Sequence, residues 1–355
     1  MSKPFVTVLI DTYNHQFFIN DAISSVLRQD FPSSETEILV VDDGSTDDTS
    51  EVVRKFAPCV RLLRKINNGQ ASAFNMGIPE SRGEIVAFLD GDDWWAPGKL
   101  TAVVEAFASN ADVGLVGHGV TEVHPDGRQR TEAPREVSRF RISSPQAAKT
   151  FRMQRGFLGS SRMAYRREIL SRIGPVPEVL KFEADEYLFT LAGLFADVMI
   201  LRESYTFYRV HGANLFQITT GNEQAIRRKQ QILVALVGSL EQRLKQYGVP
   251  LEIARTILEC IEVEADVLRL VVDSGFPWET LSTELRIMRV FHSDASAWQQ
   301  LFSRLRLVPA AFLPARTYYR WRRWLSLLTF YQEFRRKLLP FPVPRHISRR
   351  EKLAP

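Results

Sequence analysis

Apolar runs along the first ninety residues end abruptly in polar, acidic clusters. Phe5-Val6-Thr7-Val8-Leu9-Ile10 breaks into Asp11-Thr12-Tyr13-Asn14, and Ile38-Leu39-Val40-Val41 ends in Asp42-Asp43-Gly44-Ser45-Thr46-Asp47. A third run, Ile85-Val86-Ala87-Phe88-Leu89, ends in Asp90-Gly91-Asp92-Asp93-Trp94-Trp95. Continuous rather than alternating apolar character suits parallel strands covered on both faces. Between the first two runs, Phe17 to Gln29 carries Phe18, Ala22, Ile23, Val26 and Leu27 at helical spacing, and Phe31-Pro32 stops the helix. Asp48 to Phe56 predicts a second helix, with Ser45, Thr46 or Asp47 placed to cap it. Asn68-Gly69-Gln70 enters a third, whose Ala71, Ala73 and Gly77 suit close packing. The alternation of strand and helix predicts an α/β fold with a doubly wound, mostly parallel sheet. Ligands of such sheets bind at the carboxyl ends of the strands, where the acidic clusters fall.

Beyond Gly221-Asn222 the strand pattern stops. Ala225 to Tyr247, Leu251 to Asp273, Thr280 to Phe291 and Ala295 to Leu305 read as amphipathic helices, separated by Gly248-Val249-Pro250, Gly275-Phe276-Pro277 and His292-Ser293-Asp294. The expected organisation is a catalytic domain over 1–220, an all-helical domain over 221–306 and a basic, aromatic tail over 307–355. The helical domain carries no recognisable chemistry; packing, formation of a homo-oligomer or acceptor binding are the roles open to it.

Three carboxylates between Asp90 and Asp93 repel one another unless a cation sits among them. Hard oxygen ligands at the mouth of a sheet suit Mg²⁺ or Mn²⁺ carrying phosphates. An acidic turn before the helix that Pro97 would begin is the competing explanation.

Four motifs in order decide between these readings. Thr12-Tyr13-Asn14, Val41-Asp42-Asp43-Gly44-Ser45-Thr46-Asp47, Asn68-Gly69 with Ala73-Phe74-Asn75-Met76-Gly77, and Asp90-Gly91-Asp92-Asp93 together resemble the inverting family 2 glycosyltransferases with the GT-A fold, over about residues 4 to 216. The resemblance implies a nucleotide diphosphate sugar donor, with a UDP-sugar favoured, and a Mn²⁺ or Mg²⁺ cofactor. It implies that Thr12 and Tyr13 flank the base, that Asp43 accepts the base's imide N–H, and that Asn68 lies on the donor side. Asp90 would lie near ribose and metal, with Asp92 as the metal ligand. Asn75 would brace the acidic strand. Asp11 departs from the family, which usually has proline or a small hydroxyl residue there, and this leaves base recognition open.

The base for an inverting transfer is sought in Phe182-Glu183-Ala184-Asp185-Glu186-Tyr187, which resembles the family's acidic motif opening a helix. If Leu188, Leu191 and Leu194 form the buried stripe, Asp185 shares that side and Glu186 is rotated about 100° away. Asp185 is therefore the first choice of base, Glu186 the second and Glu183 the third. Alternation after Tyr205 puts Phe207, Arg209 and His211 on one face, from which Arg209 and His211 could reach a diphosphate.

A hydrophobic content of 45% fits an enzyme with a sizeable core. Cys59 and Cys260 show no framework spacing, so a reducing cytoplasm is expected. Met1 to Pro4 leads directly into a strand, so no signal peptide is expected. The tail combines aromatics from Phe312 to Tyr331 with arginines from Arg316 to Arg336, which suits an anionic membrane surface at the inner face of the cell membrane, with a helix packed on the main domain or a protein–protein contact as the alternatives. A net charge of +5, largely local to the tail, argues against nucleic acid. The expected activity is a non-processive hexosyl or N-acetylhexosaminyl transfer to a glycan or lipid-linked glycan in cell-surface polysaccharide assembly. The alternative is a non-catalytic, nucleotide-sugar-binding protein.

Overall fold

The structure is a computed structural model that describes residues 5–211, 214, 222–292, 301 and 304–327. The chain divides into two compact units, one of Met1–Ile142 and Arg155–Asn214, the other of Ser143–Gln154 and Leu215–Pro355.

The first unit is built on a 10-stranded sheet in which β1 (Val6–Thr12), β2 (Thr36–Asp42), β3 (Val60–Arg64) and β4 (Ile85–Asp90) run parallel in the order β3-β2-β1-β4. Val8 and Ile10 face α1 (Ile19–Leu27), which contributes Ile19, Ala22, Ile23 and Val26 to one core cluster. Leu9 and Val41 face the other way, against α3 (Gln70–Glu80), whose Gly77 lies so close to them that a Cβ would sit 3.0 Å from Val41 Cγ2. Both faces are thus covered, which is why these strands are apolar throughout. The short helix α2 (Thr49–Arg54) links β2 to β3.

Past β4 the sheet becomes mixed. The three-residue β9 (Ala164–Arg166) runs antiparallel between β4 and β6 (Val113–Val123), and β10 (Asp197–Arg209) runs parallel to β6. β5 (Trp94–Trp95), β7 (Gln129–Glu132) and β8 (Ser138–Phe140) complete the edges. Helices α4 (Lys99–Ala108), α6 (Arg167–Ile173) and α7 (Ala184–Phe195) belong to this unit.

In the second unit, α8 (Glu223–Gln246), α9 (Leu251–Asp273) and α10 (Pro277–His292) are followed by α11 (Leu307–Phe312) and α12 (Ala315–Leu327). Helix α5 (Pro145–Gln154), inserted within the sequence of the first unit, joins them: Arg152 reaches Glu264 of α9 at 2.9 Å. Cys260, Val263, Ile287 and Val290 form one core cluster, and Leu270, Ala310, Ala315, Tyr318 and Tyr319 another. Among the described residues no helix is long and apolar enough to cross a membrane.

Candidate active site

The strand ends converge through backbone hydrogen bonds. Asp43 N–H donates to Thr12 C=O and Gly91 N–H to Asp11 C=O, both at 2.9 Å. Gly91 permits this approach, because a Cβ there would lie 2.5 Å from Thr12 Oγ1. Gly44, at φ +81°, turns the chain where a Cβ would meet Asn67 N at 2.6 Å.

Asp90, Asp92 and Asp93 offer carboxylate oxygens all within 4.8 Å of one another. Burial foremost, then the charges of Asp92 and Asp185, pushes the Asp90 carboxyl up to about 7. Its Oδ1 is buried without a hydrogen-bond partner among the described residues. Asp11 stands opposite Asp90 in the β1–β4 register. Burial, and then the charges of Asp90 and Asp92 and a hydrogen bond with Asp90, raises Asp11 well above the usual carboxylate range. The unusual Asp11 thus sits as a buried neighbour of the acidic motif. Asp93 is pushed up as well, by burial and then by Asp92 and Asp90.

Asp92 behaves oppositely. Burial opposes its ionisation, but the hydrogen bond with His211 and the charges of His15 and His211 outweigh that and hold its pKa low. His211 Nε2 lies 3.0 Å and His15 Nε2 3.9 Å from Asp92 Oδ2. His15 had no motif to announce it; it is found beside Asp92 because the loop after β1 folds back, with Thr12 Oγ1 3.2 Å from its Nδ1. Asn214 steadies the far side, accepting from His211 N–H at 2.9 Å and donating to Arg209 C=O at 2.7 Å.

Arg209 does not present its guanidinium as expected. It lies between the rings of Phe18 and Trp94, 4.9 and 4.4 Å from their centres, ion-paired to Asp21 at 2.7 Å, with Nε donating to Asp92 C=O at 3.0 Å. Its charge is used to hold the backbone of the acidic motif.

Asp43 is buried and already engaged. Lys65 Nζ lies 2.5 Å from its Oδ1, and Gly69 N–H donates to Oδ2 at 2.7 Å. Asn68 contributes its backbone N–H to Asp43 at 3.1 Å, while its side-chain amide donates to Glu178 at 2.5 Å. Tyr13 is exposed and Thr12 buried at the mouth of the sheet. Lys65 was invisible in the sequence because a lone lysine after a strand is ordinarily a solvated one.

Ser161 ties the acidic motif to the loop before β9. Its Oγ donates to Asp93 at 2.6 Å and accepts from Asp90 N–H at 3.0 Å. Its C=O accepts from Trp95 Nε1, Lys99 Nζ and Thr206 Oγ1 at 3.0, 2.7 and 2.5 Å. No spacing rule singles out such a serine, whose role exists only once β9 is paired with β4.

Asp185 and Glu186 open α7 and differ in setting. Asp185 is half-buried, its negative charge acts on Asp90, and its Oδ1 accepts Glu186 N–H at 2.8 Å. Glu186 is buried and faces Arg155 at 3.9 Å. Leu188 and Leu191 are fully buried but Leu194 is only half-buried, and Glu186 is buried along with them, so burial along α7 does not follow the single stripe that was expected. Asn75 corrects a different expectation. Its amide clamps the Val176 backbone from both sides at 2.8 Å instead of bracing the acidic strand.

The molecule's likeness to known proteins agrees with this geometry. Residues 7–174 match the family model described as Glycosyl transferase family 2. An uncharacterized glycosyltransferase of Nostoc sp. is 34% identical over 216 residues, 59% of this chain and 66% of that protein. Glycosyltransferase AglE of Haloferax volcanii is 32% identical over 186 residues, 50% of this chain and 57% of that protein. The chain thus spans less than two thirds of the length of these two relatives. Among solved structures, the mannosyltransferase PcManGT from Pyrobaculum calidifontis, in complex with GDP-Man and Mn²⁺, superposes with TM-score 0.53 at 20% identity, covering 94% of this chain and 84% of that one. S. aureus TarS 1-349 in complex with UDP-GlcNAc gives TM-score 0.50 at 19% identity, covering 81% and 89%. Over residues 7–174 the chain is similar to glycosyltransferase family 2, and it has the GT-A fold.

Proposed function

We propose that this protein is a metal-dependent, inverting, non-processive glycosyltransferase that moves a hexosyl or N-acetylhexosaminyl group from a nucleotide diphosphate sugar, with UDP favoured, to a hydroxyl acceptor. The observation that carries the reading is the pairing of a carboxylate cluster at the end of β4 with Asp185 on α7, close enough for its charge to raise the pKa of Asp90.

The donor set fits Mn²⁺ or Mg²⁺: hard oxygens from Asp90, Asp92 and Asp93, with a buried and unpartnered Asp90 Oδ1. Asp92 and Asp90 would hold the ion, with His211 beside Asp92. When bound, it supplies Lewis-acid stabilisation of the charge on the departing diphosphate. Tyr13 and Thr12 flank the base. Asp43, with Lys65 beside it, offers an acceptor to an imide N–H and a donor to the adjoining carbonyl, a pattern that uracil matches. Asn68 shapes this pocket through its backbone, and Arg209 fixes the acidic turn. Asp185, oriented by Glu186 N–H, takes the proton from the acceptor hydroxyl as that oxygen attacks the anomeric carbon from the side opposite the diphosphate. Glu186, opposed to Arg155, supports the helix start.

The acceptor class in this reading is a glycan or lipid-linked glycan of the cell surface, met at the cytoplasmic face of the membrane. The test is a panel of nucleotide sugars incubated with the full chain and Mn²⁺, scored for release of nucleotide diphosphate. Sugar-dependent release with one donor supports it; tight UDP binding without release from any donor, whatever acceptor is supplied, would leave a binding protein.

A further inference from the structure

From Ala295 to Gln332 the sequence contains no acidic residue but includes Arg304, Arg306, Arg316, Arg320, Arg322 and Arg323. The short helix α11 packs into the second unit through Ala310, fully buried in the cluster with Leu270 and Tyr318. Val308 and Phe312 of α11 are 60% and 78% exposed, and Leu301 and Leu305, which precede the helix, are 47% and 56% exposed. Val308 and Phe312 lie one turn apart on α11, an apolar pair that a helix in a soluble domain normally turns inward. Here the small alanine faces in and the large apolar side chains face out. The hydrogen bond from Ala315 N–H to Gly275 C=O, 3.2 Å, brings a second apolar turn to the same corner. In that turn Phe276 and Trp278 are 69% and 68% exposed.

We propose that this corner of the helical unit, centred on Leu305, Val308 and Phe312, docks onto an anionic lipid surface with α11 lying in the interfacial plane. The Leu and Val side chains suit insertion among acyl chains and have no stacking use against nucleic acid. Arg304 and Arg320 are exposed, and the stretch itself carries no acidic residue to oppose their attraction to lipid phosphates. The contact surface overlaps only in part the aromatic set expected from the sequence: Phe312 is exposed, but not all of the set is. Tyr318 and Tyr319 are buried, Arg322 pairs with the buried Glu284, and Arg316 pairs with Glu223. Residues 328–355 of the expected tail lie outside the described residues. The inference deepens the transferase reading, on which it rests for the use of the docking: it names the surface on which a lipid-linked acceptor is met.

Co-sedimentation of the full chain with phosphatidylcholine vesicles, with and without phosphatidylglycerol, is the experiment. Binding is expected only with phosphatidylglycerol and should weaken as salt rises. The exposed double variant L305E/F312E should lower the partition coefficient about tenfold or more. UDP binding measured in the same samples should be unchanged, so a failed transferase reading would show there and not in the pelleting. Equal pelleting of the variant, or no pelleting of the unmodified chain at low salt, overturns the proposal. So does a dimer of the unmodified chain that L305E/F312E converts to monomer without any lipid binding, which would make a second copy the occupant.

Discussion

Single side chains divide the carboxylates of this site into two electrostatic classes. Asp92 is held ionised by His211 and His15, while burial keeps Asp11, Asp90 and Asp93 inclined to hold a proton. Asp92→Asn removes the ionised member, so metal-dependent UDP binding should be lost together with turnover. Calorimetric titration with UDP, with and without Mn²⁺, checks this, and undiminished metal-dependent binding would refute the assignment. Asp185→Asn keeps shape while abolishing proton acceptance, so kcat should fall by about 10² or more with UDP affinity little changed. Glu186→Gln faces Arg155 instead and should alter stability more than kcat. The reverse ranking would move the base one residue along α7.

At the scale of elements, the site depends on how loops are pinned to the sheet. The amide of Asn75 on α3 makes two 2.8 Å hydrogen bonds with the Val176 backbone, which fixes the segment leading to α7. Asn75→Ala leaves that N–H and C=O without their partner and should cost about 1–3 kcal/mol, read as a lower denaturant midpoint at unchanged slope. The helices were legible because their apolar positions recur at 3.6 residues: Leu251–Asp273 was expected and found with the same bounds. β9 was not legible, since three residues have no period, and Tyr165 becomes a strand residue only by pairing with Val86 and Leu115. That pairing makes the sheet mixed and brings Ser161 to Asp90 and Asp93.

For the whole molecule, concentrating buried carboxyls in the first unit makes its stability responsive to ligands. UDP with Mn²⁺ at about a hundredfold excess over Kd should add roughly 2.7 kcal/mol, or about 5–10 °C in the melting of that unit. Removing the metal with EDTA should erase most of that shift. Equal shifts with UDP alone would show that the cluster is not needed for nucleotide binding. The second unit has no such site among its described residues, so its unfolding should not respond to UDP.

What the sequence determined by itself was set by local composition: strands that are apolar because both faces are covered, acidic ends where the strands stop, and the amphipathic helices that follow. Asp90, Asp92 and Asp43 were legible because they sit directly after such strands. Asp185 was singled out from the leucines after it, whose register the evenly buried α7 does not single out. Only the tertiary structure decided which groups meet them. His15, Lys65 and Ser161 carry no periodic signal, and each matters only through a contact made across 22 to 77 residues, His15 and Lys65 with Asp92 and Asp43 and Ser161 with Asp93 and Asp90. The same holds for α11, where only the packing of Ala310 decides that Val308 and Phe312 are left to solvent. Local patterns specify elements because each residue's neighbours along the chain are fixed, whereas charges and docking surfaces depend on neighbours that only folding supplies.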